Sequence, residues 1–131
     1  MFAKKVSFDT VGSVRLTREG LNGRQCSEDE IAKIRILASD PSKVKITKTV
    51  EYDLMSLGLT KDDACLEIVT WIDAGERVKP TTLHSVEGKV GDRAFEMKPT
   101  INSERIYIKV TIEPLPFQRD ELLVLSFHRD H

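Results

Sequence analysis

Toward its C-terminal end the chain places apolar residues at every second position. In Arg105–Ile112, Ile106, Ile108, Val110 and Ile112 alternate with Arg105, Tyr107, Lys109 and Thr111. That period gives a strand one face for a core and one for water or a ligand. A second run, Glu121–Asp130, is apolar on both faces through Leu122–Leu125 and turns polar at Ser126 and His128. Continuous apolar character is what a central strand requires. The two runs flank Glu113–Asp120 and predict a hairpin. Matching their apolar faces sets Ile108 opposite Leu125 and Ile106 opposite Phe127. The same register sets Tyr107 opposite Ser126 and Arg105 opposite His128. The connecting Glu113-Pro114-Leu115-Pro116-Phe117 is stiff and partly apolar, sufficient as a hairpin loop and usable as a docking element.

Upstream the period becomes helical. Ser27-Glu28-Asp29-Glu30 has the form of a capping box, followed by Ile31, Ile34, Leu37 and Ala38 at helical spacing. Asp40-Pro41 ends that helix. Thr47–Leu57 predicts a second, with Val50, Leu54 and Leu57 on one face and Gly58 as its C-terminal cap. Thr60 opens a third, whose first turn carries Asp62 and Asp63, as the helix dipole favours. Its stripe is Ala64, Ile68, Trp71 and Ile72, flanked by Cys65 and Val69, and Gly75 ends it. Trp71 therefore reads as a core residue. Arg77–Val86 and Asp92–Met97 predict strands, with turns at Gly88–Gly91 and Pro99–Ser103. Lys4–Gly20 offers one or two short strands more. Helices followed by an antiparallel meander give an α+β fold, with N-terminal helices packed on one face of a mainly antiparallel sheet.

Length and composition narrow the classes. The 131 residues suit one domain, 1–131, and contain no repeat, low-complexity tract or linker. No apolar run reaches the roughly 20 residues needed to cross a bilayer. Met1–Phe8 lacks the apolar segment of a signal peptide, so a cytoplasmic protein is expected, with no membrane contact. The net charge of −1 and pI near 6.3 mean that any grip on nucleic acid must come from a local patch. Cys65 sits in a helical stripe and reads as a buried thiol, while Cys26 falls in a polar loop. Neither forms a CxxC or Cys/His cluster, so no metal is expected. No phosphate loop, dinucleotide fingerprint, nucleophile elbow or zinc-protease motif is present, and no cofactor is expected.

Five stretches carry a resemblance: Ser56–Ile72 (SLGLTKDDACLEIVTWI), Lys79–Thr82 (KPTT), Arg93–Met97 (RAFEM), Ile106–Ile112 (IYIKVTI) and Leu122–His128 (LLVLSFH). Together they resemble the motility quorum-sensing regulator (MqsR) family of bacterial toxins, within the RelE-like superfamily. The similarity runs from about Thr47 onward and leaves residues 1–46 as a divergent N-terminal extension. The resemblance implies a toxin–antitoxin messenger-RNA interferase, a metal-independent endoribonuclease cleaving single-stranded RNA, with a cognate antitoxin protein as partner. It matches the family tyrosine to Tyr107 and brings Lys79 next to the lysine position. Asp92 falls near the family glutamine, and His128 with Arg129 takes the place of the terminal lysine.

Cleavage through the 2′-hydroxyl needs a base, an acid for the leaving 5′-oxygen and cations around the phosphate. His128 can serve in either proton-transfer role. Tyr107 can donate a hydrogen bond or stack on a base, and Lys79 completes the catalytic set. Arg93, Arg105, Lys109, Arg129 and His84 are candidate RNA contacts, the arginines as bidentate forks and the lysine as a point charge. Each of these residues also fits an ordinary solvated strand position. A non-catalytic RelE-like module that binds a protein partner or RNA is the alternative expectation.

Overall fold

The computed structural model describes residues 27–83 and 93–130. Cys26, His84, Asp92, the strands expected within Lys4–Gly20 and the turn expected at Gly88–Gly91 lie outside the described residues. Helix α1, Glu28–Ala38, begins as its sequence requires. The Ser27 hydroxyl accepts from the Glu30 amide at 3.1 Å, and the Glu30 carboxylate accepts from the Ser27 amide at 3.1 Å. A 3₁₀ turn, Pro41–Lys43, leads into β1, Val44–Ile46. Helix α2, Lys48–Leu57, is capped by Thr47, whose hydroxyl takes the Val50 amide at 3.1 Å. It stops at Gly58, whose φ of 75° lies in the left-handed region that glycine enters without strain. Helix α3, Lys61–Asp73, has a second reciprocal capping box between Thr60 and Asp63. Trp71 packs against the core as its stripe predicts, and its indole N–H donates to the Arg77 carbonyl at 2.9 Å.

The remaining strands are β2 (Lys79–Thr82), β3 (Arg93–Met97), β4 (Thr100–Ile101), β5 (Glu104–Glu113) and β6 (Glu121–Arg129). They form one mixed sheet in the order β1-β6-β5-β3-β2, with β4 paired on the start of β5. The pairs from β2 to β6 are antiparallel, as the meander predicts. β1 adds a parallel edge against β6, Val44 beside Leu122 and Ile46 beside Val124, which the sequence pattern does not foretell. Asn102 and Ser103 close the β4–β5 hairpin with φ of 52° and 69°, the positive values a two-residue primed turn needs at both positions. The β5–β6 connection carries a 3₁₀ turn, Pro116–Gln118, in which exposed Phe117 takes a φ of 63°.

The β5–β6 register differs from the expected one. Ile108 faces Phe127 rather than Leu125, Ile106 faces Arg129, and Tyr107 faces His128. Arg105 lies not opposite His128 but opposite Asp130, whose amide donates to the Arg105 carbonyl at 2.9 Å. Over Arg105–Lys109 the expected pairing is displaced by two residues, a shift that keeps each of these side chains on its expected face. A bulge follows. Lys109 pairs Ser126 and Val110 pairs Val124, so Leu125 is an extra residue. It changes the strand's phase, allowing Leu122, Val124 and Phe127 all to be fully buried.

Those three join Ile106, Ile108, Val110, Phe95 and Met97 on one sheet face. Ile34, Leu37 and Ala38 of α1, Val50 and Leu54 of α2, and Ala64, Cys65 and Ile68 of α3 close the same core. Burial pushes the Cys65 thiol pKa up, consistent with an inert core thiol. The architecture is α+β, with all three described helices on one face of a mainly antiparallel sheet. Among the described residues no helix is long and apolar enough to cross a membrane.

Candidate functional site

Alternation along β2, β3, β5 and β6 sends a different set of side chains to the second face. Across the middle of the sheet run Lys79, Glu96, Lys109 and Ser126, each opposite the next through the strand register. The adjoining row holds Tyr107 opposite His128. Their ring centroids are 5.4 Å apart and their planes are inclined by 33°. Glu96 sits diagonally from Tyr107, a spacing that long and aromatic side chains can bridge. The Tyr107 hydroxyl donates to Glu96 Oε2 at 2.6 Å. At the strand ends, Lys98 Nζ lies 3.5 Å from Asp130 Oδ2, and Arg105 extends the row on β5.

Burial on this face is uneven. Ala94 and Thr111 are buried, whereas Glu96, Tyr107, Lys109, Ser126 and His128 are half-buried and Lys79 and Arg105 are exposed. Burial first, then the hydrogen bond to Glu96, then the negative charges of Glu96 and Asp130 raise the Tyr107 phenol above its ordinary 10.0. Tyr107 is thus held as a neutral donor. His128 Nδ1 lies 2.8 Å from the Arg129 carbonyl oxygen. A carbonyl only accepts, so Nδ1 carries the proton and any proton this imidazole exchanges moves at Nε2. Around Tyr107 the face presents Lys79, Lys98, Arg105 and Lys109 against Glu96 and Asp130. The chain's −1 balance therefore conceals a locally cationic patch.

The expected site residues divide between the faces. Tyr107, His128, Lys79, Lys109 and Arg105 come together on the polar face. Arg93 does not: it shares the helix-covered face with Phe95 and pairs with Glu30 of α1, its Nε 2.7 Å from Oε2. On Glu30, burial raises the carboxyl, but the hydrogen bonds and charge of Arg93 and the Ser27 contacts outweigh it and hold the group below 4.5. Arg129 likewise points away from the polar face, opposite Ile106, with its Nε 2.7 Å from Glu104 Oε1. His84 lies outside the described residues. Glu96 was not anticipated. Parity alone would have found it, since in Arg93–Met97 it is the acid between inward-facing Phe95 and Met97.

Two cavities lie away from Tyr107 and His128. One, of about 210 Å³, is lined by residues including Ser56, Leu59 and Ile106. The other, of about 260 Å³, is lined by Glu30, Arg93, Phe95, Thr111, Ile112 and Pro114. The described residues contain no cluster of His, Cys, Asp or Glu that could hold a metal ion. No protein-family model and no curated protein matches the chain.

Proposed function

We propose that this protein is an endoribonuclease of the messenger-RNA interferase type, cleaving single-stranded RNA without a metal at the polar face of its sheet. The pairing of Tyr107 with His128 across β5 and β6, within a cationic patch formed by Lys79, Lys109 and Arg105, is the observation that carries this reading. The patch supplies point charges and a guanidinium fork for phosphate. Tyr107 presents an aromatic ring and a fixed hydroxyl, and aromatic rings are common stacking platforms for unpaired bases. His128 supplies an imidazole, a group that can accept or donate a proton. Such a site lets the substrate's own 2′-hydroxyl displace the 5′-oxygen, with the protein arranging charge and protons. By its resemblance to the MqsR toxins, the protein acts in the cytoplasm and is held in check by an antitoxin protein.

Purified, folded protein is expected to cleave single-stranded RNA in excess EDTA, leaving a 2′,3′-cyclic phosphate and a 5′-hydroxyl. His128→Ala should lower the rate at least tenfold, and roughly 100-fold if His128 transfers a proton directly. RNA that stays intact through long incubation overturns the nuclease reading. If intact RNA nevertheless binds the protein, the function is that of a non-catalytic RNA-binding module.

A further inference from the structure

The polar face contains a carboxylate that the phosphate-binding picture leaves unexplained. An acid placed in an anion site repels the ligand it should hold, so Glu96 needs a reason to be there. It is also closely constrained: Lys79 and Lys109 are its direct neighbours on the two flanking strands, and the Tyr107 hydroxyl reaches across to its Oε2. We propose that Glu96 is the general base that takes the 2′-hydroxyl proton, with Tyr107 as the residue that positions it. This inference rests on the nuclease reading.

The neighbours narrow the choice of base. Ammonium and guanidinium groups have no lone pair to accept a proton, which removes Lys79, Lys98, Lys109 and Arg105. Tyr107 is a neutral donor whose hydrogen bond already runs toward Glu96. Asp130 lies at the end of the face, beside Lys98. His128 can be base or acid, but one group cannot take a proton and give one in a single concerted displacement. Glu96 and His128 flank the same tyrosine, one at its hydroxyl and one beside its ring, so the two transfers are divided between them.

The step then balances. The 2′-hydroxyl proton passes to Glu96 Oε1, the carboxylate oxygen not bonded to Tyr107. The 2′-oxygen forms its bond to phosphorus and the bond from phosphorus to the 5′-oxygen breaks. That oxygen takes a proton from Nε2 of the His128 imidazolium. The products are a 2′,3′-cyclic phosphate and a 5′-hydroxyl, with Glu96 now protonated and His128 neutral. Solvent exchange restores both groups.

The test is a pH–rate profile for cleavage of a short single-stranded RNA in EDTA. Glu96→Gln keeps a partner for the Tyr107 hydroxyl and should lower kcat/KM about 100-fold, abolishing the acidic limb of the profile. Added formate should restore part of the rate to Glu96→Ala and none to His128→Ala. Glu96→Asp, which keeps the charge at a shorter reach, should retain the acidic limb at a reduced rate, and it is the variant read if Glu96→Gln does not melt cooperatively. Tyr107→Phe should lower kcat with little change in KM, as expected of a group that aims the base. If the unaltered chain cleaves RNA and Glu96→Gln keeps its acidic limb with a rate within threefold, Glu96 is not the base although the nuclease reading stands. If the unaltered chain does not cleave, both fall together.

Discussion

One set of strands, β3, β5 and β6, builds both faces of the sheet, and the two faces serve opposite ends. On the helix-covered side, Phe95, Ile106, Ile108, Val110, Val124 and Phe127 interlock with three helices and leave almost no exposed surface. On the other side, a phenol, an imidazole, a carboxylate and several cations sit half-buried or exposed, joined by directional contacts. The first face derives its energy from area removed from water, which is insensitive to pH. The second derives little stability from its groups, and what it derives depends on protonation. Stability and chemistry are thereby separated by alternation alone. A residue's parity along its strand decides which role it serves.

The comparison can be broken at the core first. Phe127→Ala should cost about 3–5 kcal/mol of unfolding free energy, measured by denaturant titration, because the side chain is fully buried and its cavity can close only partly. A loss below about 1 kcal/mol would mean that the helix-covered face does not carry the fold. On the polar face, Tyr107→Phe should cost only about 1 kcal/mol at neutral pH, the usual net worth of one hydrogen bond. Its sharper signature is alkaline. The folded state raises the Tyr107 phenol above its unfolded value of 10.0, so its contribution is fully present below pH 10.0 and is lost as pH rises beyond it. Tyr107→Phe should remove that part of the alkaline destabilisation, and an unchanged high-pH slope would contradict the buried, hydrogen-bonded phenol. The smallest effect is expected at Arg129→Ala, whose ion pair with Glu104 lies at the surface. About 0–1 kcal/mol should be lost, and less in high salt, by the same titration.

Local chemistry was readable in the chain, and distant pairing was not. Ser27, Thr47, Thr60, Gly58 and Gly75 mark helix ends because a cap acts within one turn, so each helix begins and ends close to where its sequence indicates. β1 gave no such sign. Val44–Ile46 is a strand only because Leu122–Val124 lies beside it, and three residues carry no period of their own. The hairpin register escaped for a related reason: a two-residue slide preserves both faces, and the Leu125 bulge has no sequence marker such as glycine. Tyr107 and His128 were found because their residue types are chemically conspicuous. Arg93 and Arg129 are equally conspicuous by type, but the parity of Phe95 and Phe127 assigns both arginines to the other side. Glu96 carries no such signal of its own, because its position becomes informative only once Lys79, Lys109 and Tyr107 are beside it.

The placement of β6 between β1 and β5 also bears on the order in which the protein is made. Translation delivers the chain from its N-terminal side at roughly 5–20 residues per second. While β5 is emerging, β1 still lacks β6, its partner among the described strands, and the meander from β2 has no link to it through that strand. The buried faces of Val44 and Val110 await the same late segment. That segment brings Leu122, Val124 and Phe127 for the core and His128 for the opposite surface. A nascent chain stalled before Glu121 would hold Tyr107 and Glu96 but neither a closed core nor an imidazole beside the phenol. The candidate site is thus completed by the same stretch of translation that completes the fold.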